Sequence, residues 1–113
     1  MTVSIEQQIR ELTVGIVDDI VAGRLEHLRF DTGTREDFAA ALEDYRKYYP
    51  IVPLPPEGLA QIDILQPRGE TDLWSVETWF WTRDGGPSEL RLYLTFRRTE
   101  GKLIGEIYDI RVP

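Results

Sequence analysis

The chain has 113 residues, 42% of them apolar, enough for one domain spanning residues 1–113 with a core that needs no metal or crosslink. It contains no cysteine, which excludes disulfides, thiolate metal centres and cysteine nucleophiles and fits a reducing compartment. Its net charge of −7 disfavours nucleic acid and anionic lipid as partners and favours a basic protein.

That charge is unevenly placed. Residues 1–63 carry 12 acidic and 6 basic side chains (−6), and residues 64–113 carry 8 and 7 (−1). Met1-Thr2-Val3-Ser4 opens the chain without a basic and apolar leader, and no apolar run reaches membrane-spanning length. The expected location is the cytoplasm, with no membrane association.

Ser4-Ile5-Glu6-Gln7 has the form of a capping box and predicts the start of a first helix. Ile5, Ile9, Leu12, Ile16 and Ile20, joined by Val17 and Val21, follow at steps of three and four, an apolar stripe facing a core. Gly23 suits the left-handed residue that ends such a helix, so the expected span is 5–22. Residues 24–33 form a connector in which Leu25, Leu28 and Phe30 dock and Asp31-Thr32-Gly33 turns. Thr34 then caps a second helix over 35–47, with Glu36 and Asp37 complementing its dipole and Phe38, Ala41, Leu42 and Tyr45 facing inward.

Residues 48–58 contain four prolines interleaved with apolar side chains, which predicts an ordered, extended strap carrying the chain from helices to sheet. Four strands are expected beyond it, over 59–66, 72–82, 88–98 and 102–112. The segment 73–96 contains all three tryptophans, and Asp84-Gly85-Gly86-Pro87 at its centre predicts a hairpin.

A two-residue Gly85-Gly86 turn sets Trp81 opposite Leu90, Trp79 opposite Leu92, Glu77 opposite Leu94 and Ser75 opposite Phe96. A three-residue Thr99-Glu100-Gly101 loop sets Leu92 opposite Tyr108, Leu94 opposite Glu106 and Phe96 opposite Ile104, with Arg91 beside Asp109; a two-residue loop brings Asp109 and Arg111 among the leucines instead. On this register Trp79, Trp81, Leu90, Leu92, Leu94, Phe96, Ile104, Tyr108 and Ile110 line the helix-covered face. Phe80 with Arg91, Trp74 with Arg97 and Thr78 with Tyr93 then pair on the other face. The resulting fold class is α+β, with two N-terminal helices packed on a curved four-stranded antiparallel meander shaped like a cone.

Three sets of residues bear on function. Glu77 and Glu106 flank Leu94 on this register, about 10 Å apart. Two carboxylates on an apolar face suit an acid and base, and the bland alternative has them snorkelling to water or pairing with an arginine. His27 is the only histidine; it has no second ligand at metal spacing and no nucleophile context, so a surface role outweighs a catalytic one and no metal or cofactor is implied. Trp74, Phe80, Arg91, Tyr93, Arg97 and Ile107 combine aromatics with arginine in the manner of a protein-binding hot spot, against the plainer reading of cross-strand stabilising pairs.

The order of two helices, strap and antiparallel sheet resembles the nuclear-transport-factor-like and cystatin-like folds. WSVETWFWT, LRLYLTFR and the terminal IYDIRV are similar to a family of small bacterial proteins, and small acidic proteins of that kind include immunity partners of toxins. The resemblance implies a toxin-neutralising binding protein acting through the acidic helices or the aromatic sheet face. The alternatives are a small-molecule or enzymatic cone pocket around Glu77 and Glu106, and a structural homodimer.

Overall fold

The computed structural model describes residues 3–113; Met1 and Thr2, where the reading of a leaderless start begins, lie outside them. Helix α1 (Ile5–Ala22) begins at Ser4, whose hydroxyl accepts the Gln7 amide proton at 3.1 Å. Gln7 does not reach back to complete a capping box; its side-chain amide donates to Glu11. Gly23 ends the helix at φ 78°, and its amide and that of Arg24 donate to the Ile20 and Asp19 carbonyls. The fully buried row is Ile9, Thr13, Val17 and Ile20, so the stripe is rotated from the expected one and Leu12 is 42% exposed.

Helix α2 (Arg35–Arg46) is capped by Thr34, which accepts the Asp37 amide proton, and buries Phe38 and Leu42. Its last residue reaches back to α1: Arg46 donates to the carbonyls of Ile20 at 2.8 Å and Val21 at 2.6 Å, in the last turn of that helix, where the dipole favours a cation. Arg10 likewise donates to the Leu59 and Ile62 carbonyls, and Arg35 to those of Leu25 and Glu26. Three cations of the acidic half are thus directed at backbone carbonyls rather than carboxylates. Arg46→Met keeps most of the packing and removes both bonds, with an expected cost of about 1–2 kcal/mol. Urea denaturation checks it, and an unchanged midpoint would show that the clamp contributes nothing.

The strap folds into β1 (Ile51–Val52) and a short helix α3 (Pro56–Leu59), with Pro56 at the first helical position where its missing N–H leaves no bond unmade. The next strand is confined to β2 (Asp63–Leu65), because Leu59 sits in α3 and the chain turns before Ile62. Three long strands follow: β3 (Leu73–Thr82), β4 (Gly86–Thr99) and β5 (Lys102–Arg111). β3, β4 and β5 form an antiparallel meander, and β1 and β2 both pair with β3, near its C-terminal and N-terminal ends respectively. The class is α+β, with five strands in a curled antiparallel sheet rather than the expected four.

Both hairpins depart from the expected register. Thr82 pairs with Gly86 across the three-residue loop Arg83-Asp84-Gly85, and Gly86 takes φ 70°. Trp74 therefore faces Phe96, Val76 faces Leu94 and Thr78 faces Leu92. Between Trp79 and Trp81 the register shifts, with Ser88, Glu89 and Leu90 spanning the single step at Phe80; the Ser88 hydroxyl donates to the Phe80 carbonyl at 2.7 Å. The second turn is the two-residue Glu100-Gly101, both at positive φ (53° and 78°), as a type I′ turn requires. A β5 bulge at Tyr108 then restores the apolar pairing: Leu94 faces Ile107, Tyr93 faces Asp109 and Leu92 faces Ile110. The extra residue keeps Asp109 out of the core, which a two-residue loop alone would not.

The helix-covered face is Trp74, Val76, Thr78 and Phe80 from β3, Leu90, Leu92, Leu94 and Phe96 from β4, and Ile107 and Ile110 from β5, all buried. Together with Ile9, Val17, Ile20, Phe38 and Leu42 they form the core. Trp79 and Trp81, expected inside, are only half-buried on the opposite face, and Tyr108 is 51% exposed. Trp81 is partly roofed by the strap, since a Cβ on Gly58 would stand 3.0 Å from its indole nitrogen. The connector runs beside β5: the Asp31 amide donates to the Ile107 carbonyl and the Ile107 amide to the Arg29 carbonyl, each at 2.8 Å.

Candidate functional site

The face of the sheet turned away from the helices carries the odd-numbered side chains of β3 and β4, interrupted at the bulges. On it the chain twice builds the same three-part arrangement. The Arg91 guanidinium lies 3.7 Å from the Trp79 ring centroid and donates to the Glu77 carboxylate. The Arg111 guanidinium lies 4.5 Å from the Tyr93 centroid and 3.0 Å from the Asp109 carboxylate. Each aromatic presents its electron-rich face to a cation whose other side meets a carboxylate. Arg91 and Arg111 are cross-strand partners, so these carboxylates also keep apart two like charges that would otherwise repel. The pKa of Arg111 is raised above its ordinary value, first by the Tyr93 hydroxyl and, against partial desolvation, by the charges around it. The Asp109 carboxylate also accepts the Ile110 amide proton at 2.8 Å, which fixes the backbone just beyond the bulge.

Glu77 and Glu106 share this open face rather than the helix-covered one, because Ser75 pairs with Thr95 in place of Phe96, and Glu106 with Thr95 in place of Leu94. Tyr93 and Thr95, not Leu94, stand between them. Each is engaged by an arginine, Glu77 by Arg91 and Glu106 by Arg97 at 3.5 Å. Arg97 also contacts Asp31 at 3.5 Å, and Asp31 accepts the Thr95 hydroxyl proton at 2.9 Å.

Of the residues expected to bind a partner, Arg91, Tyr93 and Arg97 stand on the open face. Trp74, Phe80 and Ile107 do not: they are 7%, 0% and 2% exposed, inside the core. The observed pairing puts the uncharged even-numbered row of β3 inward, and the two-residue second turn leaves Ile107 opposite Leu94, just before the β5 bulge. Trp74 consequently meets Arg98, 5.4 Å from its centroid, and not Arg97.

Asp63, Leu65, Ser75 and Thr95, not among the site residues expected from sequence, complete the face. A groove of about 520 Å³ is lined by Asp63, Leu65, Ser75, Glu77, Tyr93, Thr95 and Tyr108. Its rims are Leu65, 67% exposed, and Tyr108; Ser75 and Thr95, cross-strand neighbours with short side chains, make its floor. Asp63 and Glu77 are direct cross-strand partners, a like-charge pair of which only Glu77 has an arginine among the described residues. The signal for Asp63 and Leu65 was their alternation with Ile62 and Ile64, which sends them to the open face.

His27 is exposed and lines a separate groove of about 550 Å³ between α1, the connector and β5, with Asp18, Asp19 and Arg24 nearby. Among the described residues no group of three or more His, Asp or Glu side chains is arranged to hold a metal ion. No helix among them is long and apolar enough to cross a membrane.

Fold and surface together define an α+β domain whose curled antiparallel sheet is covered by helices on one side and bears aromatic–arginine–carboxylate sets on the other. Residues 17–113 match the family described as Domain of unknown function (DUF7668), and the chain belongs to that family. No curated protein and no solved structure matches the chain.

Proposed function

We propose that this protein is a non-catalytic binding domain of the cytoplasm whose partner is a basic protein, engaged through the open sheet face. The observation that carries this reading is the exposure of Leu65 and Tyr108, at 67% and 51%, on the sheet face that also bears the two arginine–aromatic stacks. Exposed apolar side chains flanked by ordered aromatics and arginine are the composition of interface hot spots. The sign of the partner follows from the acidic half, where Arg10, Arg35 and Arg46 bond backbone carbonyls and leave most carboxylates uncompensated. Such a field speeds encounter with a basic protein and repels nucleic acid. The resemblance to small bacterial proteins that include immunity partners supports a toxin as that basic protein. Chemistry at Glu77 and Glu106 has less support, since each carboxylate is engaged by an arginine.

Affinity-tagged protein recovered from its native host is expected to carry a stoichiometric basic partner, released by the double substitution Leu65→Asp, Tyr108→Asp. Retention of the partner by that variant would move the interface elsewhere. A partner-free monomer, or a self-associating species in sedimentation at several concentrations, would overturn the reading.

A further inference from the structure

The open face pairs an aromatic ring, a guanidinium and a carboxylate twice, and both times the guanidinium is the chain's own. Trp79, Arg91 and Glu77 make the first set, and Tyr93, Arg111 and Asp109 the second. The groove beside them holds the outer parts of a third. Asp63 contributes a carboxylate with no cation at ion-pair distance among the described residues, and Tyr108 contributes an exposed ring. Leu65 supplies an apolar wall. The cation is missing from the set.

We propose that this groove takes an arginine side chain of the protein partner, with its guanidinium on Asp63 and its stem and plane against Leu65 and Tyr108. The inference rests on the reading of the protein as a binder of a basic partner and names how that partner is held. Three features support arginine. The groove, at about 520 Å³, has ample room for one long side chain. A planar guanidinium both stacks on an aromatic and bonds a carboxylate through two nitrogens, which an ammonium cannot do together. Asp63 stands directly opposite Glu77, and like charges facing each other across a ladder destabilise the free protein. Glu77 already has Arg91, so a cation placed on Asp63 removes what is left of that repulsion, and the arginine of a basic protein is the occupant whose charge complements the free carboxylate.

The blocked peptide acetyl-Gly-Arg-Gly-amide serves as the probe, followed by backbone amide shifts in a two-dimensional NMR titration. Saturable shifts are expected at Ser75, Tyr93, Thr95 and Tyr108. Binding should weaken at least fivefold for Asp63→Asn and for Tyr108→Ala, and at least threefold when the probe carries lysine in place of arginine. Asp63→Asn should leave the melting temperature unchanged or higher, because it removes a like charge, so weaker binding cannot be attributed to lost folding. Shifts confined to α1 and α2 would overturn the groove assignment while leaving an acidic docking surface for a basic partner standing. Absence of any saturable shift, or equal binding by the Asp63→Asn variant, would overturn it as well. A partner recovered from the host and held equally by wild type and Asp63→Asn would separate the two ideas in the other direction, keeping the binding function and rejecting its arginine anchor.

Discussion

Phe80→Ala is expected to destabilise the fold by about 3–5 kcal/mol, the scale of truncating an aromatic in a filled core. Trp79→Ala, one residue away and removing a larger side chain, should cost only about 1 kcal/mol, mainly its cation–π contact with Arg91. The contrast arises from which face each residue occupies. Phe80 is 0% exposed among Leu90, Leu92 and the helices, whereas Trp79 lies half-buried on the open face. Urea denaturation followed by circular dichroism compares the two without relying on tryptophan emission. Equal costs, or a larger cost at Trp79, would mean that β3 presents its other row to the helices.

That contrast also marks where the sequence is legible. Both long helices follow from local signals: Ser4 and Thr34 accept amide protons at their helix starts, and Gly23 closes α1 in the left-handed conformation. The inward row of β4 is equally clear, since Leu90, Leu92, Leu94 and Phe96 alternate with Glu89, Arg91, Tyr93 and Arg97 around the buried Thr95. β3 is ambiguous because both of its rows are apolar. Trp79 and Trp81 outweigh Phe80 by size, yet they share their row with Ser75 and Glu77, while Trp74, Val76, Thr78 and Phe80 carry no charge. Reading the row by its charged member rather than its largest members yields the observed face.

Turn chemistry could not settle the register by itself, because β-bulges absorb the difference. The shift at Phe80 and the extra residue at Tyr108 each reset the pairing within a strand, so loop length near the turn does not determine the faces farther along. The same events decide which candidate site residues were legible. Arg91, Tyr93 and Arg97 alternate regularly with leucines and stand where alternation sends them. Ile107 is buried because the two-residue turn sets it opposite Leu94, and the next residue, Tyr108, falls on the open face; the bulge there decides where Asp109 and the residues after it point. Arg111 and Asp109, placed together beyond that bulge, gain their common role with Tyr93 from it.

Gly105→Ala is the sharpest test of how α1 sits on the sheet. A Cβ there would stand 2.7 and 2.8 Å from two ring atoms of Phe96 and 3.0 Å from the terminal methyl of Ile16. The backbone is not the obstacle, because Gly105 is absent from the positive-φ positions, and alanine at a compatible position ordinarily stabilises by about 0.4–1 kcal/mol through the unfolded chain. Here sterics win. Phe96 is Gly105's cross-strand partner and 0% exposed, so its ring covers the glycine and cannot swing into solvent. Overpacking of this kind costs about 1–3 kcal/mol, larger than the entropic gain and opposite in sign. Phe96→Leu removes ring atoms at the point of conflict and should therefore cost less in the Gly105→Ala background than in the wild type. Denaturation midpoints of the two single variants and the double variant measure that coupling. Additive costs would mean that the helix and ring yield independently, and that Gly105 does not set the close approach of α1 to β5.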